Sequence, residues 1–251
     1  MWQDVQDIKD FYDSPLGQVA QSQIRRRLLG LWPELRGQRV LGIGFTPPYL
    51  RAFAQEAERV VALMPAPMGV MHWPSEARNL SVIGSETELP FPDLSFDRIL
   101  LAHAIEATEQ LQPLLREIWR VLADGGRLMA IAPNRRSMWA RGEHTPFGHG
   151  QPYSVRQLKR VLRHAMFTPL RTGRALYVPP TRWRFVLAAA PAFERMGERW
   201  FQPLAGVTLI EAGKQLYAAV AAREPVKARR GAPVRAVIDG ARARSGAPRL
   251  Q

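Results

Sequence analysis

Five short apolar runs, at residues 40–43, 60–64, 80–83, 96–102 and 127–132, alternate with helical spacings or polar loops, and that alternation most narrows the folds open to this chain. A strand that is apolar at nearly every position is buried on both faces, which is the mark of a parallel sheet covered by helices on each side. Helical stretches are expected at 15–31 ahead of the first run, through about residue 57 behind it, at 72–77, at 109–122 and at 154–165. The last of these follows a long loop. Two further β-like segments, near 170–177 and 207–220, bracket a helix near 181–200 that Pro191 should break into two parts.

The chain of 251 residues is 46% hydrophobic, enough for a substantial buried core. It has no cysteine, which excludes disulfides, thiolate zinc sites and cysteine nucleophiles together. The opening stretch MWQDVQDIKDFYDSP is mixed and acidic, unlike a secretion signal, and no run reaches about 18 apolar residues. A cytoplasmic protein without a transmembrane segment is expected. The formal charge is +13, and residues 223–251 hold eight basic residues against Glu224 and Asp239. That stretch is rich in Ala, Gly and Pro, has no aromatic residue, and is expected to be a disordered basic tail. Nucleic acid could be engaged only through it, and nothing there supports base stacking. The domain organisation expected is an N-terminal segment at 1–13, a folded domain at 14–222 and the tail at 223–251.

The stretch 39–50, RVLGIGFTPPYL, has the strand-turn-helix layout of a nucleotide-type site. Loops of this kind use glycines so that the backbone can bend sharply and bring its N–H groups to a ligand. Here Gly44 is followed by Phe45, Thr46, Pro47 and Pro48. Two prolines remove two donors and stiffen the turn.

The run from Leu89 to Asn134, LPFPDLSFDRILLAHAIEATEQLQPLLREIWRVLADGGRLMAIAPN, resembles the class I S-adenosylmethionine-dependent methyltransferases, in particular the type 11 group. The matching pieces are LPFPD at 89–93, SFD at 95–97, EIWRVL at 117–122 and DGGR at 124–127, and the likeness extends more thinly over 38–222. It implies a Rossmann-like α/β fold, with a seven-stranded, mostly parallel sheet, helices on both faces and the last strand antiparallel. S-adenosylmethionine is the cofactor implied, lying across the carboxyl ends of the first strands. The pieces also have structural readings of their own. Gly125 and Gly126 suit the left-handed end of a helix, and Asp97 can hold the loop before its strand through a side-chain to backbone bond.

The positions that hold the cofactor in this family correspond here to Gly42, Gly44, Thr46, Met64, Ser85, Glu86 and His103. Gly44 matches the first glycine, but an acidic residue is replaced by Gly42 and two further glycines by Thr46 and Pro48. Met64 stands where an Asp or Glu would take both ribose hydroxyls, since a carboxylate can accept two hydrogen bonds at once. Of the adenine-side stretch GSETE, Ser85 and Glu86 remain as polar groups. Losing a charged bidentate contact and loop donors removes several kcal/mol, at about 1.5–3 for the former and 0.5–1.5 for each of the latter.

The expected loop at 133–154 leaves the carboxyl end of a strand, where functional loops of open sheets emerge. His144, His149 and Tyr153 there, with His103 after the fourth strand, are the candidate acid–base groups, although loop histidines and a turn-forming His103 with Glu106 have structural readings too. Glu143 beside the two histidines leaves a metal site or an acid–base pair open, but no third ligand is indicated and no metal is expected. Asn134, Arg135, Trp139, Arg141 and Trp183 are the candidate substrate or partner contacts, the arginines alternatively forming a solvated rim. Two functions follow from the resemblance. One is an S-adenosylmethionine-dependent methyltransferase acting on a small or apolar substrate beneath the 133–154 loop and the 181–200 cover. The other is a catalytically inactive relative that binds and regulates a protein partner or pairs as a homodimer.

Overall fold

The computed structural model describes residues 2–142 and 144–215. The tail at 223–251, Glu143 and the end of the segment expected at 207–220 lie outside the described residues. The elements run α1 (Val5–Asp13), α2 (Pro15–Leu31), β1 (Arg39–Gly44), α3 (Pro47–Leu50), β2 (Arg59–Pro65), β3 (Ser81–Gly84), β4 (Phe96–Ala102), α4 (Leu111–Val121) and β5 (Leu122–Pro133). They continue with α5 (Val155–His164), β6 (Phe167–Ala175), α6 (Arg184–Ala188), α7 (Ala190–Trp200) and β7 (Val207–Lys214). Among the described residues one seven-stranded sheet forms in the order β3-β2-β1-β4-β5-β7-β6. β7 runs antiparallel between β5 and β6, and the pairs from β3 to β5 are parallel.

Alternate residues of the strands feed two cores. Val40, Leu100, Met129 and Leu209 face α1, α2 and α3, while Leu41, Ile99, Leu101, Leu128 and Ile210 face α4 and α5. Burial on both faces is why these strands read as unbroken apolar runs. α2 begins at Ser14, whose hydroxyl accepts from the Gly17 N–H at 3.1 Å, with Pro15 following where its missing donor costs nothing. Leu16, Ala20, Ile24, Leu28 and Leu31 then fall on its buried face. α5 opens with a capping box between Ser154 and Gln157.

Several expectations are corrected. The segment at 1–13 is not separate from the domain: α1, capped by Asp4, buries Ile8 and Tyr12 one turn apart in the same core as α2. No helix forms at 72–77, where chain irregularity follows a short 3₁₀ turn at Ala66–Met68, and α3 stops at Leu50 before a series of turns. Gly125 does adopt φ +75°, but three residues beyond the extended helix cap Leu122, at an irregularity in the β4–β5 pairing rather than at the helix end. Asp97 ties β4 to β1 instead of holding its own loop, accepting the Arg39 backbone N–H at 2.9 Å and the Arg39 guanidinium at 3.0 Å through each oxygen. The 181–200 helix is split at Ala189, with Pro191 in the first turn of α7, as the sequence predicts.

Candidate functional site

The carboxyl ends of β1 and β4 meet beneath α1. Gly44 leaves β1 with φ +86°, and a Cβ there would come within 2.3 Å of the Ala102 carbonyl, so the turn requires glycine. The chain then spends its donors on itself. Pro47 and Pro48 have none, and the N–H groups of Tyr49 and Leu50 both bond the Thr46 carbonyl at 3.0 Å. Thr46 is wholly enclosed, its hydroxyl without a partner and standing 2.1 Å from where a Cβ on Gly42 would lie. Gly42 therefore makes room for Thr46, and a carboxylate there could not coexist with it.

Above this turn lies an aromatic cluster. The Tyr12 ring stacks on Phe45 at 5.5 Å between centroids, and its hydroxyl lies 2.7 Å from that of Tyr49 and 2.8 Å from Nε2 of His103. His103 Nδ1 is 3.3 Å from Glu106 Oε1, an ion-pair distance without the alignment of a hydrogen bond. The arrangement that satisfies most groups has Tyr49 donating to Tyr12, Tyr12 donating to Nε2, and the imidazole proton on Nδ1 toward Glu106. Burial first, and then the neighbouring tyrosine, keeps the Tyr12 hydroxyl well above its ordinary pKa; burial does the same for Tyr49. His103 is held at φ +52°, an uncommon backbone state for a side chain of this kind. Phe147 closes the cluster, 5.0 Å from the His103 ring and 5.5 Å from Trp139. The Gln151 N–H, bonded to the Glu106 carbonyl at 2.8 Å, fastens the loop that carries Phe147 across it.

The residues expected at the site part into three groups. Gly42, Gly44, Thr46 and His103 do converge here. Met64 is fully buried at the end of β2, its sulfur accepting the Met71 N–H at 3.4 Å. Ser85 is exposed beyond β3, and Glu86 accepts from the Thr108 hydroxyl at 2.9 Å, with burial raising its carboxyl above the usual range. Asn134 and Trp139 are corrected from ligand contacts to braces. Asn134 donates to the carbonyls of Pro203 and Ala205 at 2.9 and 2.8 Å, and the Trp139 indole donates to Val178 at 2.7 Å from within the core. Arg135, Arg141, His144 and Trp183 are exposed. His149 and Tyr153 are half-buried, the latter bridging to Asn134 through its backbone and carrying a hydroxyl whose pKa burial raises.

Sequence reasoning missed Tyr12, Phe45, Tyr49 and Phe147 as parts of one site. A signal existed in α1: Asp4 as cap, then Ile8 and Tyr12 four apart, then Ser14-Pro15 opening the next helix. Phe11, next to Tyr12 and 6.0 Å from Phe147, separates the cluster from an open cleft of about 530 Å³. Asp7, Asp10, Leu16, His144, Arg182 and Leu187 line that cleft. Among the described residues no group of three His, Asp or Glu side chains could hold a metal ion.

These residues do not fit S-adenosylmethionine in the position the resemblance implies. The ribose partner is a thioether, Pro47 and Pro48 offer no donor, and the N–H groups of Thr46, Tyr49 and Leu50 are already bonded within the turn.

Residues 40–130 match a family described as a methyltransferase domain. A demethylmenaquinone methyltransferase of Thermus thermophilus is 36% identical over 115 residues, which covers 43% of this chain and 52% of that protein, about half its length. The fold superposes on an S-adenosylmethionine-dependent methyltransferase from Thermotoga maritima with a TM-score of 0.62 and 18% identity, covering 84% of this chain and 96% of that one. It also resembles the Burkholderia thailandensis 1,6-didemethyltoxoflavin-N1-methyltransferase, solved with its substrate and S-adenosylhomocysteine, at a TM-score of 0.54 and 15% identity over 84% of this chain and 85% of that one. Strand order, antiparallel last strand and the match over residues 40–130 agree in likening this chain to the class I S-adenosylmethionine-dependent methyltransferases, whose fold it has.

Proposed function

We propose that this chain uses the methyltransferase scaffold to bind a ligand or partner rather than to transfer a methyl group. One observation carries the reading: Tyr12, stacked on Phe45 and bonded to Tyr49 and His103, fills the place where the resemblance puts the methyl donor. The ring is not a loose plug, because moving it would leave the Tyr49 and His103 polar groups unpaired in a closed apolar setting. Binding would fall instead to the cleft beside Phe11, whose apolar wall of Leu16 and Leu187 and charged groups Asp7, Asp10 and Arg182 suit an amphiphilic molecule or a peptide. Within the cluster, His103 and Glu106 orient Tyr12 and close the sheet end, a positioning task without a reacting atom.

A second reading keeps methyl transfer from S-adenosylmethionine to a small or apolar substrate, and the likeness to the Thermus demethylmenaquinone methyltransferase favours it. It requires α1 to leave the sheet and Phe45 to turn away. Calorimetric titration of the full chain with S-adenosylhomocysteine separates the two. No saturable heat is expected up to about 1 mM, whereas a Kd below about 100 µM would overturn the binding-only reading and restore the enzyme.

A further inference from the structure

The segment from Arg182 to Leu204 carries apolar side chains that face solvent instead of the core. Trp183 and Phe185 are 66% and 68% exposed and stack on each other at 5.5 Å, at the start of α6. Trp200, Phe201 and Leu204 are 69%, 50% and 54% exposed at the far end of α7. The two groups flank α6 and α7, which Ala189 separates. Arg182, Arg184, Arg195 and Arg199 are exposed among them, and Arg199 sits over the Trp200 ring at 5.5 Å. The acidic residues of the segment do not offset these cations. Glu194 is buried, accepting the Leu176 and Tyr177 N–H groups, and Glu198 is paired with Arg27 at 3.5 Å.

We propose that this α6–α7 face docks on an anionic lipid surface. Exposed tryptophans beside arginines are the composition of helices that lie in a membrane interface, indoles at the headgroup level and guanidinium groups on the phosphates. The charge argues for an anionic bilayer over a protein partner: four exposed arginines accompany the aromatic groups, and both glutamates of the segment are buried or paired. Protein hot spots gather near the centre of an interface in shared pockets. Here the aromatic groups stand at the two ends of the α6–α7 segment, with the exposed Arg195 between them in the chain, rather than in one central cluster. No described helix is long and apolar enough to cross a membrane, so the contact proposed is peripheral. It stands independently of what the donor site does.

The test uses the full chain and vesicle flotation, comparing phosphatidylcholine alone with phosphatidylcholine containing about 30 mol% phosphatidylglycerol. Flotation is expected with the anionic vesicles only. The double variant Trp183→Ala, Trp200→Ala should lose at least about tenfold in partitioning with its melting temperature unchanged, because both side chains are exposed. Brominated acyl chains should quench tryptophan fluorescence in the parent and markedly less in the variant. The basic residues at 223–251 could attract vesicles by charge alone, so parent-like flotation and quenching by the double variant overturns the proposal. Absence of flotation also overturns it, as does self-association through this face that the same substitutions abolish without any vesicle binding.

Discussion

The 89–134 region and the 39–50 turn sit in one sheet and have opposite fates. The first keeps the pattern that made the chain resemble a family, and the structure shows why: the pattern is a clamp. Arg120 of α4 donates to the Leu89 and Phe91 carbonyls at 3.0 and 2.8 Å and to Asp93 at 2.8 Å, while Glu117 accepts the Leu89 N–H at 2.9 Å and the Arg120 guanidinium at 2.7 Å. Residues 89–93 are thereby locked onto α4 by groups that no ligand requires. The second region keeps only its strand and Gly44. Where the resemblance implies an acidic residue and two further glycines it carries Gly42, Thr46 and Pro48, and α1 lays Tyr12 over Phe45. The lesson is that a motif which fixes architecture can be kept beside one whose residues depart from the family pattern.

That contrast can be broken or sharpened by substitution. The largest effect is expected from Tyr12→Ala, which empties an aromatic site in the core and should cost about 3–5 kcal/mol in urea denaturation. A cost near zero would mean that α1 does not close the sheet end in solution. Arg120→Ala should cost about 2–3 kcal/mol by removing charged hydrogen bonds that hold 89–93. Near-UV circular dichroism of the Tyr12 cluster should be unchanged, because the clamp and the cluster share no side chain. Loss of both signals together would merge the two regions into one cooperative unit.

Asp97 offers a smaller and pH-dependent handle. The Arg39 guanidinium holds its carboxyl below the usual carboxylate range in the folded state. Its contribution is therefore present above the unfolded value near 4 and fades as pH falls through the lowered folded value. Asp97→Asn should cost about 1–2 kcal/mol at neutral pH and flatten the acid limb of a stability profile. The smallest effect belongs to Glu86, where burial raises the carboxyl. A raised carboxylate loses stability as pH climbs from the unfolded value through the folded one, so Glu86→Gln should be as stable as the parent or slightly more so at pH 7, by under about 1 kcal/mol. A marked loss would mean that the ionised form serves a partner.

The sheet was legible because β1, β2, β4 and β5 are buried on both faces and carry unbroken apolar runs with little ambiguity. The antiparallel last strand came through the resemblance rather than through periodicity, since its residues alone do not state a direction. α1 was not legible as part of the domain, because an acidic, exposed face dominates its composition and only Ile8 and Tyr12 are fully buried. The candidate site was half legible. The missing carboxylate at Met64 and the missing glycines at Thr46 and Pro48 could be read directly, but the filling of the space by Tyr12 and Phe147 joins segments that lie far apart in the chain. Loop residues misled for a related reason: Trp139 and Asn134 look like ligand contacts in a polar stretch, and the structure spends both on the Val178, Pro203 and Ala205 carbonyls.

The most direct test of a sheet end closed by its own side chains is a crystal structure of the full chain grown with about 1 mM S-adenosylhomocysteine, a concentration that would occupy any site of micromolar affinity. The account predicts the Tyr12 ring stacked on Phe45 with its hydroxyl between Tyr49 and His103, and no nucleoside at the end of β1. A nucleoside lying across Gly44 and Met64, with α1 displaced, would contradict it.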